Sequence, residues 1–174
     1  DATIAMEACS GSNYWGRTLQ QHGFKVMLIP PQHVKPFVKG NKNDRNDAFA
    51  ITEAARRPDL KCVEPRTLAQ TDMIQVHRVL DRMTRQRTAL INQIRGFLNE
   101  YGIVVARGKE KLLAAMPDLL EDAENGLTSS SRVLFQQMLE QWRQANEAID
   151  RIEKGLKGQA KTDDDAQRLM KMRG

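Results

Sequence analysis

With 174 residues, the chain can bury a real core and is long enough for one large domain or two small ones. Apolar content of 40% and charge of 28% are ordinary for a globular protein, and aromatics at 5% argue against the base-stacking platform of single-strand binders. A net charge of +5 points weakly to a polyanionic partner, and Cys9 and Cys62 are too few and too far apart for a disulfide scaffold or a zinc site.

In chain order, "TIAME" (3–7) reads as a short buried strand ending on a carboxylate. "SGSNYWGRTLQQHGF" follows as a helix that Ser10 or Ser12 can cap, with Tyr14, Trp15, Leu19 and Phe24 at helical spacing and Gly23 as its stop. Tyr14 and Trp15 are read as core rather than base-stacking residues. "KVMLIP" (25–30) is a second apolar run halted by Pro30-Pro31, so strand, helix and strand make a βαβ unit with a parallel pair. A helical turn around Val34, Phe37 and Val38 leads to a polar Gly/Asn/Lys loop. The next helix is expected to begin at Asp44, turn Phe49, Ile51, Ala54 and Ala55 inward, and end before Pro58. "KCVEP" (61–65) is a candidate for one more short strand.

After Thr67 the texture changes. Met73, Val76, Leu80, Met83, Arg87, Leu90, Ile94, Phe97 and Tyr101 keep 3-4 spacing, and Phe135, Met138, Trp142, Ala145, Ile149, Ile152 and Leu156 form a second seam. "TSSSR" (128–132) supplies a cap for the second helix, and "MPDLLEDAENG" between the seams reads as a short helix and a turn. Two long helices with a compact connector predict an antiparallel hairpin, in which Arg87 interrupts the seam and is a candidate for fixing register. The charges sort between the two helices: eight Lys or Arg against three acids over 76–111, and eleven acids against six bases over 116–165. A basic helix beside an acidic one partly satisfies itself. Arg78, Arg82 and Arg85 nevertheless recur at i, i+4 and i+7, a stripe that could track phosphates. No apolar run approaches the ~20 residues of a membrane span, so no membrane partner is expected. The abrupt start at Asp1 and the stop within or just after a helical pattern lead us to expect a fragment.

The stretch "KGNKNDRNDAFAI" (39–51) sets Asp44 and Asp47 one turn apart among Lys39, Lys42 and Arg45. Taken alone, an Asp at N-cap with a second acid at N3 is close to a capping box. Glu7, at the carboxyl end of the first strand, lies where ligand chemistry gathers in open α/β sheets. Three carboxylates converging there would suit Mg²⁺ or Mn²⁺, and two such ions can stabilise the attacking and leaving oxygens of a phosphodiester displacement. The cations around Asp44 and Asp47 would then guide phosphates.

The stretch from "TIAMEACSGSNYW" through "KNDRNDAFAI" resembles the DEDD-type transposases of bacterial insertion sequences, whose members use a bridging RNA. That resemblance implies an α/β fold: a partial RuvC-like, ribonuclease-H-related domain over 1–66, an all-α antiparallel coiled-coil hairpin over 67–162, and the start of a C-terminal domain over 163–174. It implies that Glu7, Asp44 and Asp47 are catalytic metal ligands for Mg²⁺ or Mn²⁺, with the first Asp of the motif upstream of residue 1 and the nucleophilic serine beyond Gly174. It further implies metal-dependent DNA strand cleavage and exchange in a bacterial cytoplasm, by an intact protein of which this piece is inactive alone. DNA is the expected partner, with a guide RNA and a second copy of the hairpin as further candidates. Two other readings stay open: a Holliday-junction-resolvase-like endonuclease, and a non-enzymatic coiled-coil assembly module whose acids only cap a helix.

Overall fold

The computed structural model describes residues 2–40 and 43–172. Among these the chain forms two compact units, Asp1–Met73 and Ile74–Gly174.

In the first unit, β1 (Thr3–Glu7), α1 (Ser12–Gln21) and β2 (Lys25–Ile29) form the expected βαβ unit. The strands pair in parallel, from Thr3 opposite Lys25 to Glu7 opposite Ile29. Because successive strand residues face opposite sides, Leu28 and Ile29 seed two different contacts, and both are fully buried. Ile29 joins Val34, Ala50 and Ala54 in one core, with Ala5, Phe37 and Ile51 packed against it. That core is covered by α2 (Pro31–Val34), a 3₁₀ turn (Lys35–Phe37) and α3 (Asp44–Ala55). Leu28 meets the other helix, α1, where Gly16 lets the backbone come close: a Cβ there would stand 2.8 Å from Cγ of Pro65 and 3.8 Å from Leu28 Cδ1.

Three expectations are corrected here. α1 buries Ser12 and Gly16, and this approach through small residues leaves Tyr14 58% and Trp15 56% exposed, stacked edge-on with ring centroids 5.3 Å apart. On α3 the buried positions are Ala50 and Ala54, and Phe49 lies about 100° from Ala50 around the helix, so it is 51% exposed. The run 61–65 is no strand; it contributes a single antiparallel bridge, in which the Val63 N–H donates to the Leu28 carbonyl at 2.8 Å.

The second unit holds most of α4 (Leu68–Glu100), together with α5 (Lys109–Glu121), α6 (Ser129–Ala160) and the short α7 (Asp164–Met170). Ile91, Ile94 and Leu98 near the end of α4 share a core with Leu112 and Met116 of α5 and with Phe135, Met138 and Leu139 near the start of α6. The end of one long helix thus packs on the start of the other, so the hairpin is antiparallel, as its seams predicted. Arg87 reaches across the seam: its Nη1 donates to Asn146 Oδ1 at 2.8 Å, and Asn146 Nδ2 donates on to Asp150 at 2.9 Å. The α4 seam is shifted from the one expected. Ile91 and Leu98 are buried beside the expected Ile94, Leu90 packs partly buried against the same core, and Phe97 is left 37% exposed. α5 also starts earlier than expected, at Lys109. Thr128 caps α6, as its sequence indicated, accepting from the Ser131 N–H at 3.1 Å.

Candidate active site

The first turn of α3 assigns the capping role to a residue that the sequence reading passed over. Asn43 has extended backbone, φ −155° and ψ 159°, and its side-chain oxygen accepts from the Asn46 N–H at 2.9 Å. Asn43 is therefore the N-cap, and Asp44 and Asp47 sit at the first and fourth helical positions. Neither carboxylate makes a hydrogen bond or an ion pair among the described residues, so the capping-box explanation does not hold for them. Both still gain from the positive end of the helix dipole.

By helical spacing, Asp44 and Asp47 share the stripe that carries Ile51 and Ala54 into the core. Asp47 is half-buried and Asp44 exposed. Glu7 ends β1 half-buried, its carboxylate likewise without a hydrogen bond or ion pair among the described residues. Beyond it, the Ala8 N–H donates to the Ile29 carbonyl at 2.8 Å, so the two strands stay joined to their shared carboxyl end.

Hard carboxylate oxygens suit Mg²⁺ or Mn²⁺ by their chemistry. Their geometry falls short: among the described residues no group of three or more His, Cys, Asp or Glu side chains is placed to hold a metal ion. Of the expected phosphate guides in this unit, Lys39 and Arg45 are exposed, and Lys42 lies outside the described residues. In the second unit, Arg78, Arg82 and Arg85 all lie exposed along α4. Arg82 donates to Gln86 at 2.8 Å and Arg85 pairs with Asp81, contacts between exposed groups that leave the charges accessible.

Two arginines that the sequence reading did not single out organise the hairpin. Arg132 donates to the Leu119, Leu120 and Asp122 carbonyls at 3.2, 2.6 and 2.7 Å, closing the carboxyl end of α5. Arg95 donates to the Val105 and Gly108 carbonyls at 3.1 and 2.6 Å, pinning the segment that leads into α5. Neither has a local sequence signal, since each acts on carbonyls ten or more residues away.

Parallel strands with helices packed on both faces, followed by a helical hairpin, define an α/β protein with an appended helical unit, and no described helix is long and apolar enough to cross a membrane. A family model described as "Transposase", for the DEDD transposases of IS110-type elements, matches residues 1–103. The chain belongs to this transposase family. It is 43% identical over 98% of its length to the transposase for insertion sequence element IS1111A of Coxiella burnetii, covering 47% of that protein. It is 36% identical to a probable family 20 transposase of Pseudomonas aeruginosa and 40% identical to the transposase for insertion sequence element IS1328 of Yersinia enterocolitica, covering 51% and 50% of them. The chain thus spans about half the length of the curated relatives it matches. No solved structure matches it.

Proposed function

We propose that this chain is part of an insertion-sequence transposase that cleaves and exchanges DNA strands, with Glu7, Asp44 and Asp47 as the acidic set of its nuclease-like half. The observation that carries this reading is the assignment of the α3 cap to Asn43. Two acids at a helix start need no function when they cap it; these do not cap, and with Glu7 they have no partner among the described residues. Carboxylates brought to a DNA phosphate repel it unless a cation or proton offsets their charge.

Mg²⁺ or Mn²⁺ is the ion we infer, completed as a site in the assembled protein by ligands or a rearrangement beyond those described. Lys39, Lys42 and Arg45 flank the acids in sequence and are proposed to draw the scissile strand in; Arg78, Arg82 and Arg85 are proposed to hold backbone phosphates elsewhere on the duplex. A guide RNA would bind through the same backbone chemistry. The hairpin is proposed to pair with a second copy, since Val79 on α4 and Val133 and Leu134 on α6 leave apolar surface exposed. The purely structural alternative keeps the helix dipole as its support but not the capping box.

Strand cleavage of a labelled duplex carrying the element's end, by the longer protein with Mn²⁺, tests the reading. E7Q should lower the cleavage rate by about 100-fold or more while leaving duplex affinity intact. Wild-type cleavage by E7Q rejects the assignment.

A further inference from the structure

Beside the hairpin core, α4, the start of α5 and Trp142 of α6 line an open cavity of about 480 Å³ within the second unit. Its lining includes four cations, Arg87, Arg95, Arg107 and Lys109, and no acid. Arg87 and Arg95 are held by neutral acceptors, Asn146 Oδ1 and the Val105 and Gly108 carbonyls, so hydrogen bonding fixes their positions without cancelling their charge. Arg107 has no ion-pair partner among the described residues. Lys109 faces only the exposed Glu110, 3.8 Å away. Gly108, at φ 110° and ψ 138°, opens the 13-residue α5 with no side-chain cap, so the first-turn N–H groups add their positive end to the same place. Trp142, which lines the cavity, has a buried indole N–H with no protein acceptor among the described residues.

Clustered cations and a helix start without a side-chain cap have one chemistry in common: each favours an oxyanion. We propose that this cavity binds a phosphodiester group of a nucleic-acid strand, with Arg107 and Lys109 at its exposed rim and Arg87 and Arg95 as its fixed floor. The volume exceeds what a phosphate alone needs, and Ile91 and Trp142 offer apolar surface to the attached sugar. Arg85 of the exposed stripe is about 15 Å along α4 from Arg95, within reach of a strand two or three nucleotides long. The nucleic-acid identity of the ligand rests on the transposase reading; the oxyanion chemistry does not.

The test uses the 174-residue chain with W15F, which leaves Trp142 as its one tryptophan. Probes are a 20-base-pair DNA duplex, an RNA hairpin of equal length and inorganic phosphate, followed by Trp142 emission and by the salt dependence of affinity. Binding of DNA or RNA should change the emission. R107A/K109A, both at exposed positions, should abolish that change, weaken binding at least ten-fold and reduce the log–log salt slope by about 2. An unchanged affinity and slope in R107A/K109A overturns the proposal. If R78A/R82A/R85A loses DNA binding in that same series, the transposase reading stands while the cavity fails. Emission that responds to inorganic phosphate and to neither nucleic acid overturns the assigned ligand.

Discussion

At the start of α3 the Asn43 side chain occupies the Asn46 N–H, so N43A should cost about 1 kcal/mol and lower the melting temperature of its unit by ~4–8 °C. Removing the Asp47 charge forfeits only a dipole interaction that salt screens. In about 0.5 M salt, D47N is therefore expected to melt within ~2 °C of the parent, a comparison that calorimetry makes directly. Asn43 and Asp44 are both good caps by residue type, and nothing in their order says which one the backbone will leave extended. The folded backbone leaves Asn43 extended and Asp44 helical, a difference illegible in the local sequence. Cys62 offers a second residue-level check. Partial burial of the thiol, with the Glu64 charge beside it, pushes its pKa above the usual thiol value. Less thiolate is present at any pH below that value, so Cys62 should alkylate at pH 8 more slowly than a free-cysteine peptide.

At the scale of elements, periodicity located the helices and strands well and their contacts less well. The βαβ unit, the two long helices and the Thr128 cap follow from local patterns, which are strong in this chain. The exposed Tyr14 and Trp15 do not, because α1 meets Leu28 and Pro65 through Gly16, and a glycine carries no hydrophobic signal. G16A tests that close approach: its Cβ must displace Pro65, a stiff ring, and overpacking of ~1–3 kcal/mol should outweigh the better helix propensity of alanine. A pattern along α4 alone likewise cannot show that α5 will share the core of Ile91 and Leu98. Arg132 is the element-level staple that only the folded chain shows. R132A would leave the last α5 carbonyls without their charged donor, at a cost of about 2 kcal/mol, and R132K should not restore it, since an ammonium cannot span acceptors that the guanidinium fork reaches together. Thermal melting of the two variants checks both statements.

Over the whole molecule, charge and exposed apolar surface suggest how the protein meets its partners. Over the whole chain 27 Lys and Arg stand against 22 Asp and Glu, a net charge of +5. We propose that exposed apolar residues of the hairpin, Val79 on α4 and Val133 and Leu134 on α6, serve pairing with a second copy. V79E/L134E should shift the hairpin toward monomer in light scattering after size exclusion without lowering its helix content. An unchanged mass would place the assembly surface elsewhere. The carboxylates belong to the first unit and the arginine stripe to the second, so the proposed division of labour predicts separable defects, cleavage for one set and DNA affinity for the other.

We propose that the acids at the start of α3 and at the end of β1 serve chemistry, while Asn43 serves the helix. Recombination frequency of D47N in the full-length transposase, measured beside N43A under salt conditions where D47N melts normally, tests this most directly. D47N is expected to recombine about 100-fold less often or lower still, and N43A at near-parental frequency despite its lower melting temperature. Parental recombination by a folded D47N protein would contradict the proposal.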